Sequence, residues 1–125
     1  MSAFAELLAL VTERDADGPL CTLDPGDTVM GRPGVMHGGG VAALMEQAAR
    51  AVLVEALGNG GGPLPTITLA TMTVDYLRAG PMQPVRARGR VVRVGGRAAS
   101  IAAEAWAEDA AKPFGAARFT FLIGR

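Results

Sequence analysis

A chain of 125 residues supports one hydrophobic core, and with half its residues apolar and under a fifth charged it is a folding sequence, not a disordered one. Lysine plus arginine equal aspartate plus glutamate at twelve each, which excludes the charge excess that a nucleic-acid or anionic-membrane partner would require. Eleven of the twelve bases are arginine, nine of them from Arg50 onwards, so a local site for phosphate or carboxylate stays open.

The N-terminus has no basic stretch and Glu6 interrupts its short apolar run, so it does not read as a signal peptide. No run approaches the ~20 apolar residues of a membrane span, and the expected location is the cytoplasm. A single domain spanning residues 1–125 is expected, opening on a helix within residues 1–16. There Phe4, Leu7, Leu8 and Val11 recur at helical spacing between Ser2, a candidate N-cap, and about Arg14. Pro19 to Met30 reads as short extended pieces broken by the turn signature Asp24-Pro25-Gly26-Asp27, and Gly31-Arg32-Pro33-Gly34 is a second irregular stretch. Cys21, the only cysteine, can form no internal disulfide and reads as a small buried hydrophobe rather than a nucleophile.

From about Gly39 to Leu57 the spacing predicts a long helix. Val41, Leu44, Met45, Ala48 and Val52 form its main apolar stripe, and Ala42, Ala43, Leu53 and Leu57 make the opposite side apolar as well. A helix apolar nearly all round must be enclosed. Gly58-Asn59-Gly60-Gly61-Gly62-Pro63 ends it. Four extended segments follow, at about Thr66–Arg78, Val85–Val94, Ala98–Glu108 and Phe114–Ile123, with breaks short enough for antiparallel neighbours. Arg86, Arg88 and Arg90 share one face of the second segment, and the phase slips at Val91-Val92, which predicts a bulge. The alanine-rich stretch Ala98–Ala107 has helical propensity, but the glycine pair before it sets up a hairpin and a strand is expected. The fold class is therefore α+β, a curved antiparallel sheet around one central helix, with long edges that a second subunit can pair with.

One local constellation carries chemistry: His37-Gly38-Gly39-Gly40 followed by Val41 to Glu46. Three glycines open the helix, whose first N–H groups have no partner and, with the positive end of the helix dipole, can stabilise a carbonyl oxygen gaining negative charge. Glu46 lies two turns further in among apolar neighbours, where a poorly solvated carboxylate is a better base or nucleophile. Each residue also has an ordinary reading. The glycines make a flexible turn, Glu46 and Arg50 form a helical i, i+4 ion pair, and His37 caps the helix.

Together, Gly-x-x-His-Gly-Gly from Gly34 and the acid seven residues after the second glycine resemble the hot-dog thioesterase superfamily, closest to its PaaI-like and 4-hydroxybenzoyl-CoA thioesterase group. The segment from Thr68 to Gly80 is similar to that family's strand ending in an aromatic residue, leucine and arginine. Val91–Ala107, with Gly95-Gly96-Arg97 in its turn, is similar to the following hairpin. The resemblance covers roughly residues 17–123. It implies hydrolysis of an acyl- or aroyl-CoA thioester, with Glu46 as nucleophile or general base, the Gly38 N–H polarising the carbonyl, and His37 helping to hold or polarise the acyl end. Gly39, Arg50 and Thr68 are expected on the substrate side, and Arg78 and Arg97 at the CoA phosphates. It also implies a site at a homodimer interface, often within a dimer of dimers, and no metal or redox cofactor, coenzyme A being part of the substrate.

Two positions depart from the family pattern. Gly31 stands where an asparagine or glutamine often supports the reacting groups. Arg50 stands where a serine or threonine often orients water, and its charge could instead pair with Glu46 and make it a weaker base, with Thr66 or Thr68 of a neighbouring strand as the substitute hydroxyl. A non-catalytic acyl-CoA-binding module is therefore the main alternative. A hydratase of the same fold is a further one, although it would place its acid nearer the start of the helix.

Overall fold

The computed structural model describes residues 10–25, 34–58 and 62–124. In chain order these form β1 (Leu10–Asp15), β2 (Gly18–Leu23), α1 (Gly38–Leu57), β3 (Thr66–Tyr76), β4 (Val85–Val94), β5 (Ala98–Trp106) and β6 (Gly115–Gly124). The six strands make one antiparallel sheet in the order β1-β2-β4-β5-β6-β3. The long helix lies in the curve of this sheet, which is the hot-dog arrangement expected from the sequence.

Strand alternation builds the core. Val85, Ala87 and Gly89 of β4, Ala99, Ile101, Ala103 and Ala105 of β5, and Phe119, Phe121 and Ile123 of β6 all turn inward and are buried. They meet Val41, Leu44, Met45, Ala48, Ala49 and Leu53 of α1, also buried. At Gly89 the helix lies close against the sheet. A Cβ there would stand 2.7 Å from the Ala48 carbonyl oxygen and 3.0 Å from the Ala49 Cα, so only glycine admits this approach. The alanines of β5 serve the same end, because small inward residues let a helix sit low on the sheet. This burial outweighs the helical propensity of that stretch.

Several expectations change. The helix expected within residues 1–16 is not found over residues 10–15, which form β1, hydrogen-bonded to β2 from Leu10↔Leu23 to Asp15↔Gly18. Residues 1–9, including Ser2, Phe4, Leu7 and Leu8, lie outside the described residues. The apolar spacing there continued through Val11 by coincidence: Leu10 is buried, while Val11 is about half exposed on an edge strand. The later strands are not all sequential neighbours either. β4, β5 and β6 form a meander, but β3 pairs with β6 and not with β4. The β3–β4 link instead crosses the start of α1, where Val35 bridges Pro81 and the Met36 N–H donates to the Gly80 carbonyl at 2.9 Å. The bulge expected at Val91-Val92 is present as a register shift between Val91 and Arg93, and a second lies between Leu69 and Thr71.

The sheet has two edges of different character. β1 is short and carries Glu13, Arg14 and Asp15, charges that discourage further pairing. β3 spans 11 residues, is mostly exposed, and carries Asp75 as its only charge.

Candidate active site at the start and middle of α1

The helix begins because His37 takes an extended conformation (φ −62°, ψ 135°) and its ring caps the first turn. Its Nδ1 accepts the Gly39 N–H at 2.9 Å, and its carbonyl accepts the N–H groups of Gly40 and Val41 at 2.9 and 3.3 Å. Of the first four helical N–H groups, that leaves the Gly38 donor with no acceptor among the described residues. No acidic side chain lies in the first turn to offset the positive end of the dipole. Gly39 is exposed beside the ring, and a Cβ there would stand 3.0 Å from Nδ1. The start of α1 thus presents the Gly38 donor beside an exposed glycine.

Tyr76, the last residue of β3, lies against this surface. Its hydroxyl donates to the Gly38 carbonyl at 2.9 Å, and a Cβ on Gly38 would approach the hydroxyl to 3.1 Å. Sequence reasoning placed Tyr76 in the family-like strand without assigning it a task. It is the chain's one tyrosine, and its position at the end of β3 is the signal that was available.

Glu46 lies eight residues along, about 12 Å up the axis. Its side chain is 30% exposed and accepts from the Nε of Arg50 at 2.8 Å. Arg50 is held further by the Ile67 carbonyl of β3, which accepts at 3.4 Å, and by the Phe121 ring, whose centroid is 5.1 Å from the guanidinium carbon. A helical i, i+4 pair is worth only ~0.3–0.5 kcal/mol, so the arrangement matters less for stability than for orientation. Both residues line an open groove of about 940 Å³ along the solvent side of α1, bounded across from them by Thr12, Glu13 and Arg14. Arg14 closes the far side of this groove through its pair with Glu55.

The structure does not bring all the expected residues together within one protomer. His37 and Gly38 do not line the groove that holds Glu46. Thr68 is exposed and pairs with Leu122 on the sheet face that points away from α1, so it does not reach Glu46. Arg78 is exposed just past Tyr76 and donates to the Lys112 carbonyl. Arg97 is exposed in the β4–β5 turn, where its carbonyl accepts the Ile123 N–H at 2.8 Å. That places it at the Thr66 end of the sheet, while Arg78 stands at the Tyr76 end, some ~34 Å away along β3. Gly31 lies outside the described residues. Cys21 is buried, and burial pushes its thiol up from its ordinary value, which leaves it a hydrophobe and not a thiolate. Among the described residues no group of three or more His, Cys, Asp or Glu could hold a metal ion, and no helix is long and apolar enough to cross a membrane.

A family model described as the thioesterase superfamily matches residues 33–114. No curated protein sequence matches the chain. Among solved structures, a Bacillus halodurans protein crystallised with CoA superposes with a TM-score of 0.86 at 18% identity, covering 100% of this chain and 80% of the other. A Ralstonia eutropha structure described as a putative thioesterase related to phenylacetic acid degradation gives 0.80 at 18%, covering 98% and 90%. A Chromobacterium violaceum protein gives 0.76 at 27%, covering 98% and 83%.

Proposed function

This chain belongs to the thioesterase superfamily, and from that premise we propose that it hydrolyses an acyl- or aroyl-CoA thioester to the free acid and CoA. The observation that carries the reading is the start of α1. There a Gly38 N–H with no acceptor among the described residues and a first helical turn without an acidic side chain stand beside glycines, as a developing oxyanion requires. Glu46 is the carboxylate that attacks the thioester carbon or takes a proton from the attacking water. Water supplies the oxygen of the acid, and the thiolate of CoA leaves with a proton. The CoA bound to the Bacillus halodurans neighbour supports a ligand of this type.

The site is complete only between two copies. Gly38 lies beside Tyr76 at one end of β3, and Arg50, next to Glu46, reaches Ile67 near the other end. Among the described residues β3 is the bare edge of the sheet. If two copies pair antiparallel along it, each partner's Gly38 end lies beside the other's Glu46 and Arg50. The same pairing moves the partner's Arg97 towards the end that carries Arg78, so that one nucleotide can meet both. Two such dimers can then stack through the outer sheet face. On that face Arg90 and Arg118 flank the small Ala102, while Glu104 and Asp75 flank Ala116 one step along. A two-fold between the steps sets acids against bases and large side chains over small ones. Sedimentation as four copies supports the second interface, and as two contradicts it.

The catalytic reading is tested by steady-state release of free thiol from a panel of aliphatic and aromatic CoA esters, using wild type and Glu46→Gln. Turnover in the wild type and a fall of about 10²-fold or more in the variant are expected. Equal rates remove Glu46 from the reaction. The alternative of a non-catalytic acyl-CoA module draws on the Glu46–Arg50 pair, which occupies the carboxylate, and it predicts binding of the same esters without turnover.

A further inference from the structure

Two hydrogen bonds described separately above belong to one peptide unit. The carbonyl of Gly38 accepts from the Tyr76 hydroxyl at 2.9 Å, and the N–H of the same amide, on Gly39, donates to His37 Nδ1 at 2.9 Å. We propose that Tyr76 is a positioning residue that acts through the Gly38–Gly39 peptide to fix the His37 ring with Nδ1 as acceptor and Nε2–H as donor. The polarising role that the family resemblance implies for His37 is then carried by Nε2–H, beside the Gly38 N–H.

In a neutral imidazole one nitrogen carries the proton and the other accepts, and the partner of one decides the other. Here the Gly39 N–H occupies Nδ1, so the proton resides on Nε2. A donor at the carbonyl of an amide polarises its N–H, strengthening the bond to the ring in the manner of a hydrogen-bonded chain. The relay fits closely at both glycines, since a Cβ on Gly38 would stand 3.1 Å from the tyrosine hydroxyl and one on Gly39 3.0 Å from Nδ1, so either ring would have to give by a few tenths of an ångström. This gives the two glycines separate tasks, one seating the tyrosine and the other the imidazole. The backbone holds both ends of the relay in place. Beyond Tyr76 the N–H groups of Leu77 and Arg78 both donate to the Phe114 carbonyl, and ahead of His37 the Met36 N–H donates to Gly80 on the same crossing loop. No proton passes to or from His37 in this role, so the ring polarises the carbonyl and leaves base chemistry to the carboxylate.

The role in catalysis rests on the proposed thioesterase reading, but the state of the ring can be measured without turnover. His37 is the chain's only histidine, so labelling histidine with nitrogen-15 gives one pair of ring resonances. In the alkaline limit of its titration, wild type is expected to show a protonated Nε2 and an unprotonated, hydrogen-bonded Nδ1. Tyr76→Phe keeps the ring against Gly38 and removes only the hydroxyl. It is expected to shift the Nδ1 resonance towards that of an unbonded nitrogen. It is also expected to lower kcat about three- to tenfold with KM nearly unchanged. A proton on Nδ1 in wild type, or an Nδ1 resonance identical in the two proteins, overturns the proposal. Absence of turnover in wild type would overturn the thioesterase reading and leave the resonance test standing.

Discussion

The two halves of the candidate site are built from different materials. At the start of α1 the proposed group is the backbone N–H of Gly38, and its direction follows from the helix itself and from a cap, two glycines and a tyrosine that leave little freedom. In the middle of the helix the proposed group is one flexible side chain, Glu46, whose direction depends on Arg50, itself steadied by Ile67 and Phe121. The first half therefore survives most changes of nearby side chains and fails when the backbone is altered. The second is tuned by a single neighbour. A fold can keep its polarising donor almost for nothing, whereas the reactivity of its carboxylate depends on which residue stands one turn further on.

The sharpest way to break the first half is Gly38→Pro. Proline is well suited to the first helical position, and His37 already has the extended conformation a residue before proline prefers, so the helix should start as before without the N–H, with Gly38→Ala as the control for the Cβ that both variants set beside Tyr76. A loss in kcat/KM of about 10²–10³-fold is expected, with the far-UV spectrum of wild type retained. Both halves depend on where the helix rests, and Gly89→Ala tests that. The added methyl meets the Ala48 carbonyl and must lift α1 from β4, at a cost of about 1–3 kcal/mol read from a denaturant midpoint. Arg50→Thr tests the second half alone. Releasing Glu46 from its ion pair is expected to raise kcat several-fold while KM changes little, and a fall would show that the arginine assists the carboxylate.

Much of this contrast was legible in the sequence. The glycine run, the helix from about Gly39 to Leu57 and the pairing of Glu46 with Arg50 follow from spacing that acts within one element, and the structure agrees on each. The bulge after Val91 was readable for the same reason, since a phase slip is a local event. What escaped depends on contacts between distant segments. β3 beside β6 is a choice among topologies that alternation does not encode, and it decides which edge is bare. Thr68 was offered, with Thr66, as a substitute for the hydroxyl that Arg50 displaces, but strand alternation sets it on the outer face. Residues 10–15 carried a short apolar spacing that also fits a strand with one buried end, and pairing with β2 settles the choice. Tyr76 meets Gly38 across a sequence separation that no pattern within either segment reveals.

The central claim is that one thioester is held by Gly38 of one protomer and Glu46 of another. Mixing Gly38→Pro and Glu46→Gln proteins and allowing their subunits to exchange tests it directly. Each variant alone should be nearly inactive, and every mixed dimer should contain one site with both groups intact. Random exchange of equal amounts makes half the dimers mixed, so about a quarter of wild-type activity is expected to return. If wild type hydrolyses the ester and the exchanged mixture is no more active than the variants apart, the two groups do not serve one carbonyl from different protomers, and the account is wrong.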